Sequence, residues 1–317
     1  MSSWLASPPP DAAIEISPGA IAVAALGVRG REPVVQSYAV APLPAGAVTA
    51  ALTGHNIIDR PLVVRALQSA LERAGIRPRR VALVMPDAVA RVSLVRFDRI
   101  PERPEDLDQL VRWQIRKAAP FPVEEAALSY SPGVRFGDGG GEFVTVVARQ
   151  AIVREYESVC EEAGLYAGLV DLATLSVLNL FLASAPPPGD WLAVHMRPEY
   201  VSIAVMRGAD MIFFRTRTEG EDDALVDLVH QTTMYYQDRL SGQGFVRVLF
   251  GGIGRTPGAL EAAQRTIEER LELRVETIEP AKIAALPDRL TPGGELQATL
   301  APLIGILLRT RREAVAA

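Results

Sequence analysis

One cysteine in 317 residues, Cys160, excludes an internal disulfide and a cysteine-based metal centre. No stretch reaches the about 18 consecutive apolar residues that a membrane-spanning helix requires. Charge shows no basic excess: 33 Lys and Arg stand against 38 Asp and Glu, a formal net charge of −5, so the electrostatic footprint of a nucleic-acid binder is missing. The first residues, Met1-Ser2-Ser3-Trp4-Leu5 followed by Pro8-Pro9-Pro10, have neither the basic nor the apolar region of a signal peptide. The expectation is a cytoplasmic protein whose residues 1–11 form a flexible N-terminus. Apolar residues are plentiful: at 49% hydrophobic, the chain can bury one large core or two ordinary ones. Cys160 shares a helical face with Val153 and Tyr156 and reads as core.

Periodicity then orders the chain. Ala12 to Ala25 and Val34 to Ala41 are β-like runs separated by Gly27, Gly30 and Pro33. Leu62, Ala66, Ala70 and Ala74 predict a helix from Pro61 to Ala74 capped by Gly75, leading to the continuous apolar strand Val81 to Met85. A second helix ending at Glu162-Ala163-Gly164 leads likewise into Gly168 to Leu172. Pro104, with Glu105 and Asp106 behind it, opens a helix that Pro120 stops, its apolar face formed by Leu107, Leu110, Val111, Ile115 and Ala118. Arg112 and Arg116 read as a solvated face, and Phe121 as a plug of the local core. Gly137 to Gly141 reads as a long hairpin tip, since no helix follows it to make a phosphate loop.

Ala183 to Asp190, with Pro186-Pro187-Pro188-Gly189, marks a seam, after which the β-rich opening recurs in Trp191 to Val194, Val201 to Val205 and Met211 to Arg215. Helices are expected from Asp222 to Leu240, from Pro257 to Leu271 and from Leu296 to Arg312, the second of them following the strand Val246 to Phe250 and the pair Gly251-Gly252. Strands interleaved with helices in two similar halves argue for α/β layers.

The segment from Ile100-Pro101 to Tyr130, with "IPERPEDL" before its helix and "PFPVEEAALSY" after it, resembles the inserted subdomain of the PilM family of type IV pilus assembly proteins. The likeness extends over Tyr235 to Gly258 and to the closing Leu303-Ile304-Gly305-Ile306-Leu307-Leu308-Arg309. It implies a bilobed actin-like (ribonuclease H-like) α/β fold with an inserted subdomain in the first lobe. The implied divisions are 12–87 and 151–185 for the first lobe, 88–150 for the subdomain, 190–295 for the second lobe and 296–317 for a helix returning to the first. It also implies ATP and Mg2+ between the lobes, and a PilN-like inner-membrane protein whose cytoplasmic N-terminal tail docks on the first lobe. Membrane association would then be indirect, near the pilus motor ATPases.

By the same resemblance, the cofactor-binding positions are Glu15, Ser17 and Gly19 in the first hairpin, His195 and Arg197 in the second, and Gly251, Gly252 and Gly254 in the glycine loop. Four of them depart from the superfamily pattern. Glu15 is one methylene longer than the expected aspartate, Ser17 replaces a glycine beside Pro18, and His195 and Arg197 stand where an Asp-x-Gly belongs. A neutral imidazole does not orient magnesium-bound water as a carboxylate does. The expectation is a scaffold with weakened or lost ATPase activity. The alternatives are an active actin-like ATP-binding protein of pilus or type II secretion assembly, in which Glu15 does the aspartate's work, and an FtsA-like division protein. The last conflicts with the end Arg309 to Ala314, which has no amphipathic membrane-binding face.

Overall fold

The computed structural model describes residues 9–30, 32–117, 119–137, 139–183, 187–218, 223–286 and 293–316. Trp4, Leu5, Ala118, Asp222 and part of the Ala183 to Asp190 seam lie outside these. The chain opens with three antiparallel strands, β1 (Ala12–Ile16), β2 (Ala20–Arg29) and β3 (Glu32–Pro42). The run expected from Ala12 to Ala25 is therefore two strands. Between them Ser17 closes a tight turn, its backbone N–H and its hydroxyl both donating to the Ala20 carbonyl, at 3.0 and 2.8 Å. Helix α1 (Arg60–Ala74) starts at Asp59, whose carboxylate accepts from the Leu62 N–H, and stops at Gly75 with φ 68°. Val63, Leu67 and Ala70 form its buried face. Strand β4 (Arg80–Met85) then lies parallel to β1.

Next come β5 (Ala90–Phe97), α2 (Pro104–Ile115), β6 (Ala126–Arg135) and β7 (Gly141–Arg149), a three-stranded antiparallel sheet of order β5-β7-β6. Val111 and Ile115 of α2 pack with Val95, Phe97 and Phe143 of the sheet, and Leu107, Leu110 and Phe121 close the edges. The helix ends at Ile115, short of the expected stop at Pro120, although the Ala119 N–H still reaches the Ile115 carbonyl at 3.0 Å. Arg112 and Arg116 lie on the exposed face, as expected, and pair there with Asp108 and Glu124. The Gly137 to Gly141 segment joins β6 to β7 as a hairpin connection. Helix α3 (Gln150–Glu162) leads to β8 (Tyr166–Leu172), parallel to β4, and then to α4 (Ala173–Leu182).

The second half repeats the order with β9 (Asp190–Arg197), β10 (Tyr200–Arg207), β11 (Asp210–Thr218), α5 (Asp223–Leu240), β12 (Arg247–Gly252), α6 (Ala259–Leu271) and β13 (Val275–Thr277). Helix α7 (Gly294–Ala316) closes the chain and is longer than expected, accommodating Pro302 within it. The α6 helix begins at Ala259, after Gly258 at φ 82°, rather than at Pro257.

Two five-stranded sheets result, β3-β2-β1-β4-β8 and β11-β10-β9-β12-β13. In each, the first three strands are antiparallel and the fourth runs parallel to the first. One compact unit is drawn from Met1–Asp87, Arg154–Pro186 and Thr277–Ala317, the other from Ala88–Val153 and Pro187–Glu276. In the first unit α7 packs on α4 and the sheet, and Gly305 is required there because a Cβ would run into the Ser176 carbonyl. In the second, β11 packs against β5 and β6, so Ala88–Val153 interrupts the first sheet in sequence but packs with the second. Among the described residues, no helix is long and apolar enough to cross a membrane.

Candidate ligand site

In the first unit Glu15 lies in β1, in register with Ala22 of β2 and Val84 of β4, and is 3% exposed. Ser17 spends both its donors inside the β1–β2 turn. A Cβ added at Gly19 would meet nothing within 4 Å, so the turn does not sterically demand glycine there. Two carboxylates not expected from sequence lie just beyond β4 and in β8. Asp87 accepts from the Thr174 N–H at 2.9 Å and from the Thr174 hydroxyl, capping the start of α4. Asp171 accepts from the Leu172 N–H and from Arg309 of α7, each at 2.8 Å. Burial pushes the Asp171 carboxyl above the usual range, against the pull of Arg309. The available signal was an aspartate inside or directly after an otherwise apolar strand, an unusual place for a charge.

In the second unit the β9–β10 hairpin places His195 opposite Ser202 and beside Gly251 of β12. His195 is 2% exposed. Burial, reinforced by the positive charge of Arg197, holds its imidazole well below the ordinary value and therefore neutral. Gly252 pairs with Met196 at φ 138°, where a Cβ would collide with the Met196 backbone. The next residue, Ile253, donates to the Met196 carbonyl at 2.8 Å. At Gly254 a Cβ would come within 2.8 Å of the Ala259 Cβ at the start of α6. Gly252 and Gly254 are thus needed for a tight strand-to-helix connection whatever the loop binds.

This connection and the hairpin enclose a cavity of about 590 Å³. Arg197, which is 6% exposed, Glu199, Arg217 and Arg255 line it together with Thr256 to Ala259 at the N-terminus of α6. Met196, Val201, Leu225 and Leu228 form an apolar part of the wall. Arg255 Nε donates to the Pro198 carbonyl, holding the hairpin turn against the loop. Burial raises the Glu199 carboxyl above its usual range, opposed by its own backbone hydrogen bond and by Arg197 and Arg255. Three guanidinium groups, one carboxylate and the positive end of a helix dipole suit an anion, and the apolar wall suits an organic body attached to it.

The family's ATP would bring a magnesium ion, and the residues of this unit do not fit one. The positions that should present an acidic aspartate and a glycine present a buried neutral imidazole and a guanidinium. Among the described residues, no group of three or more His, Cys, Asp or Glu side chains is placed to share a metal ion.

The model of the family described as Type IV pilus assembly protein PilM matches residues 13–239. Among solved structures, the chain is similar to one described as the PilM-PilN type IV pilus biogenesis complex, at 18% identity and a TM-score of 0.80, covering 94% of this chain and 98% of that one. It is also similar to a Bacteroides thetaiotaomicron protein with an actin-like ATPase fold and unknown function, at 9% identity and a TM-score of 0.52 over 87% and 93% of the chains. A third likeness is to the cytoplasmic domain of EpsL, an inner-membrane component of the Vibrio cholerae type II secretion system, at 11% identity and a TM-score of 0.50 over 96% and 94%. No curated protein matches. The fold is the actin-like α/β fold expected from the sequence.

Proposed function

The chain belongs to the PilM family of type IV pilus assembly proteins, and from this premise we propose that it is a scaffold that docks the cytoplasmic N-terminal tail of a PilN-like inner-membrane protein. The observation that carries the proposal is the match, over nearly the full length of both chains, to a structure of a PilM-PilN complex. In this reading the protein works on the cytoplasmic side, reaches the inner membrane through its partner and lies near the pilus motor ATPases. Its ATPase chemistry is weakened or lost, a view supported by the neutral, buried His195 and the guanidinium of Arg197 in the second hairpin. Ser17, with its donors already used in the first turn, supports the same view.

Co-purification tests the docking. The protein should copurify with a full-length PilN-like partner from solubilised membranes and be lost when the partner's N-terminal tail is deleted; retention without the tail would overturn the proposal. For hydrolysis, release of phosphate from ATP with magnesium should stay at the buffer rate, and sustained turnover would overturn the degenerate-site part alone.

A further inference from the structure

We infer that the first unit touches anionic lipid directly, through the edge of its five-stranded sheet where β1, β4 and β8 begin and β2 ends. Lipid contact of this kind goes beyond the docking of a PilN-like tail and needs no partner protein. Strands β1, β4 and β8 are parallel and β2 runs against β1, so Asp11, Arg79, Tyr166 and the tip of the β2–β3 hairpin share this edge. The Leu26 N–H donates to the Asp11 carbonyl and the Tyr166 N–H to the Arg79 carbonyl, both at 2.9 Å. Past Leu26 the hairpin continues beyond the start of β1, through Gly27 and Val28 to Arg29. Arg311 of α7 donates to the carbonyls of Leu26 and Gly27 and so holds this tip extended.

Two kinds of side chain gather there. Val28 is 59% and Tyr166 63% exposed, the most exposed large apolar side chains among the described residues of the first unit. Arg29, Arg77 and Arg79 are also exposed, and none forms an ion pair with a described residue. Asp11 is answered by Arg311 at 3.6 Å, and Glu32 lies opposite Arg29 across the hairpin. Arg29, Arg77, Arg79 and Arg311 thus outnumber the carboxylates of the edge, while the chain as a whole carries a charge of −5. An anionic surface would therefore draw the protein in by this end. The contact points are scattered, since β2 and β8 stand three strand spacings apart, about 14 Å. A peptide would need them side by side, whereas a lipid surface meets all of them at once. Guanidinium groups suit lipid phosphates, a phenol suits the headgroup level, and Val28 gains by leaving water.

The test is flotation of the full-length protein with large unilamellar vesicles, with no partner protein present. The protein should float with vesicles rich in phosphatidylglycerol at low salt and stay behind with vesicles of phosphatidylcholine alone. Arg77→Gln and Arg79→Gln should each weaken partitioning about fivefold, the loss of one cation close to an anionic surface. Val28→Ser should weaken it at low and at high salt alike. All three side chains are exposed, so the circular dichroism of the variants should match that of the parent. No flotation with phosphatidylglycerol, the outcome expected if this edge serves an acidic protein instead, would overturn the inference. So would equal flotation with phosphatidylcholine alone, or flotation indifferent to Arg77 and Arg79. Phosphatidylcholine vesicles carrying the PilN-like partner read the docking separately, because they offer no anionic lipid.

Discussion

Arg309 of α7 donates a 2.8 Å hydrogen bond to Asp171 of β8, 138 residues earlier in the chain. The contact fastens the last helix to the carboxyl end of the first sheet. Burial raises the Asp171 carboxyl, Arg309 and the Leu172 N–H lower it, nearby Asp87 raises it, and the result lies above the usual carboxylate range.

A raised carboxyl favours the folded state at pH values below the unfolded pKa, and this contribution is lost as pH rises through the folded value. Arg309→Met removes the partner that limits the loss. It should cost about 2 kcal/mol at pH 8, below the value for a fully enclosed pair because Arg309 is partly exposed, and less at pH 4.5. Urea denaturation at both pH values measures the difference. Adding Asp171→Asn should restore most of the stability lost at pH 8.

The three glycines with different surroundings should respond differently to alanine. Gly19→Ala, which meets open space, should change stability by less than about 0.5 kcal/mol. Gly252→Ala and Gly305→Ala place a methyl group on the backbone of Met196 and Ser176, and should each cost about 3 kcal/mol or prevent soluble expression. Thermal melting of the three variants checks this ranking.

Glu155 of α3 accepts from the N–H groups of Asn56 and Ile57 at 2.7 and 3.0 Å, and shares a 2.8 Å hydrogen bond with His55 Nδ1. Burial alone would raise its carboxyl, but these bonds together hold it below the usual range. Its contribution is therefore present above the unfolded pKa of about 4.3 and lost as pH falls through the folded value. Glu155→Gln should cost about 1 kcal/mol at pH 7, with the gap closing in acid. Denaturation midpoints followed from pH 7 to pH 3 would show it.

Cys160 is buried, and burial, with the charges of Glu157 and Glu161, pushes its thiol up to about 12. Iodoacetamide should leave the native protein unmodified at pH 8 and label it stoichiometrically in denaturant. Mass spectrometry of the two samples reads the outcome.

The elements that follow local rules were legible in the sequence. Helix α1 announced itself through the Pro61 start, the spaced apolar residues and Gly75, and the second half through its repeated β-rich opening. Helix α4 was not, because Ala173, Val177, Leu178, Leu180 and Phe181 are buried around its whole circumference and leave no amphipathic period. The departures at His195 and Arg197 could be read from motif positions alone. The cavity could not: Arg217 and Arg255 join Arg197 only through packing of β11 and the α6 connection on the β9–β10 hairpin. Asp87 and Asp171 were hidden for the same reason, since Thr174 and Arg309 lie 87 and 138 residues from them. Sequence order also gave no sign that Ala88–Val153 packs with the second half.

The central claim is that of a PilM-family scaffold that docks its partner without the help of nucleotide. Calorimetric titration of the purified protein with a peptide matching the PilN-like N-terminal tail, in EDTA and with no nucleotide added, addresses it most directly. The account predicts a saturable one-to-one isotherm unchanged by ATP and magnesium; binding that appears only when ATP and magnesium are supplied would contradict it.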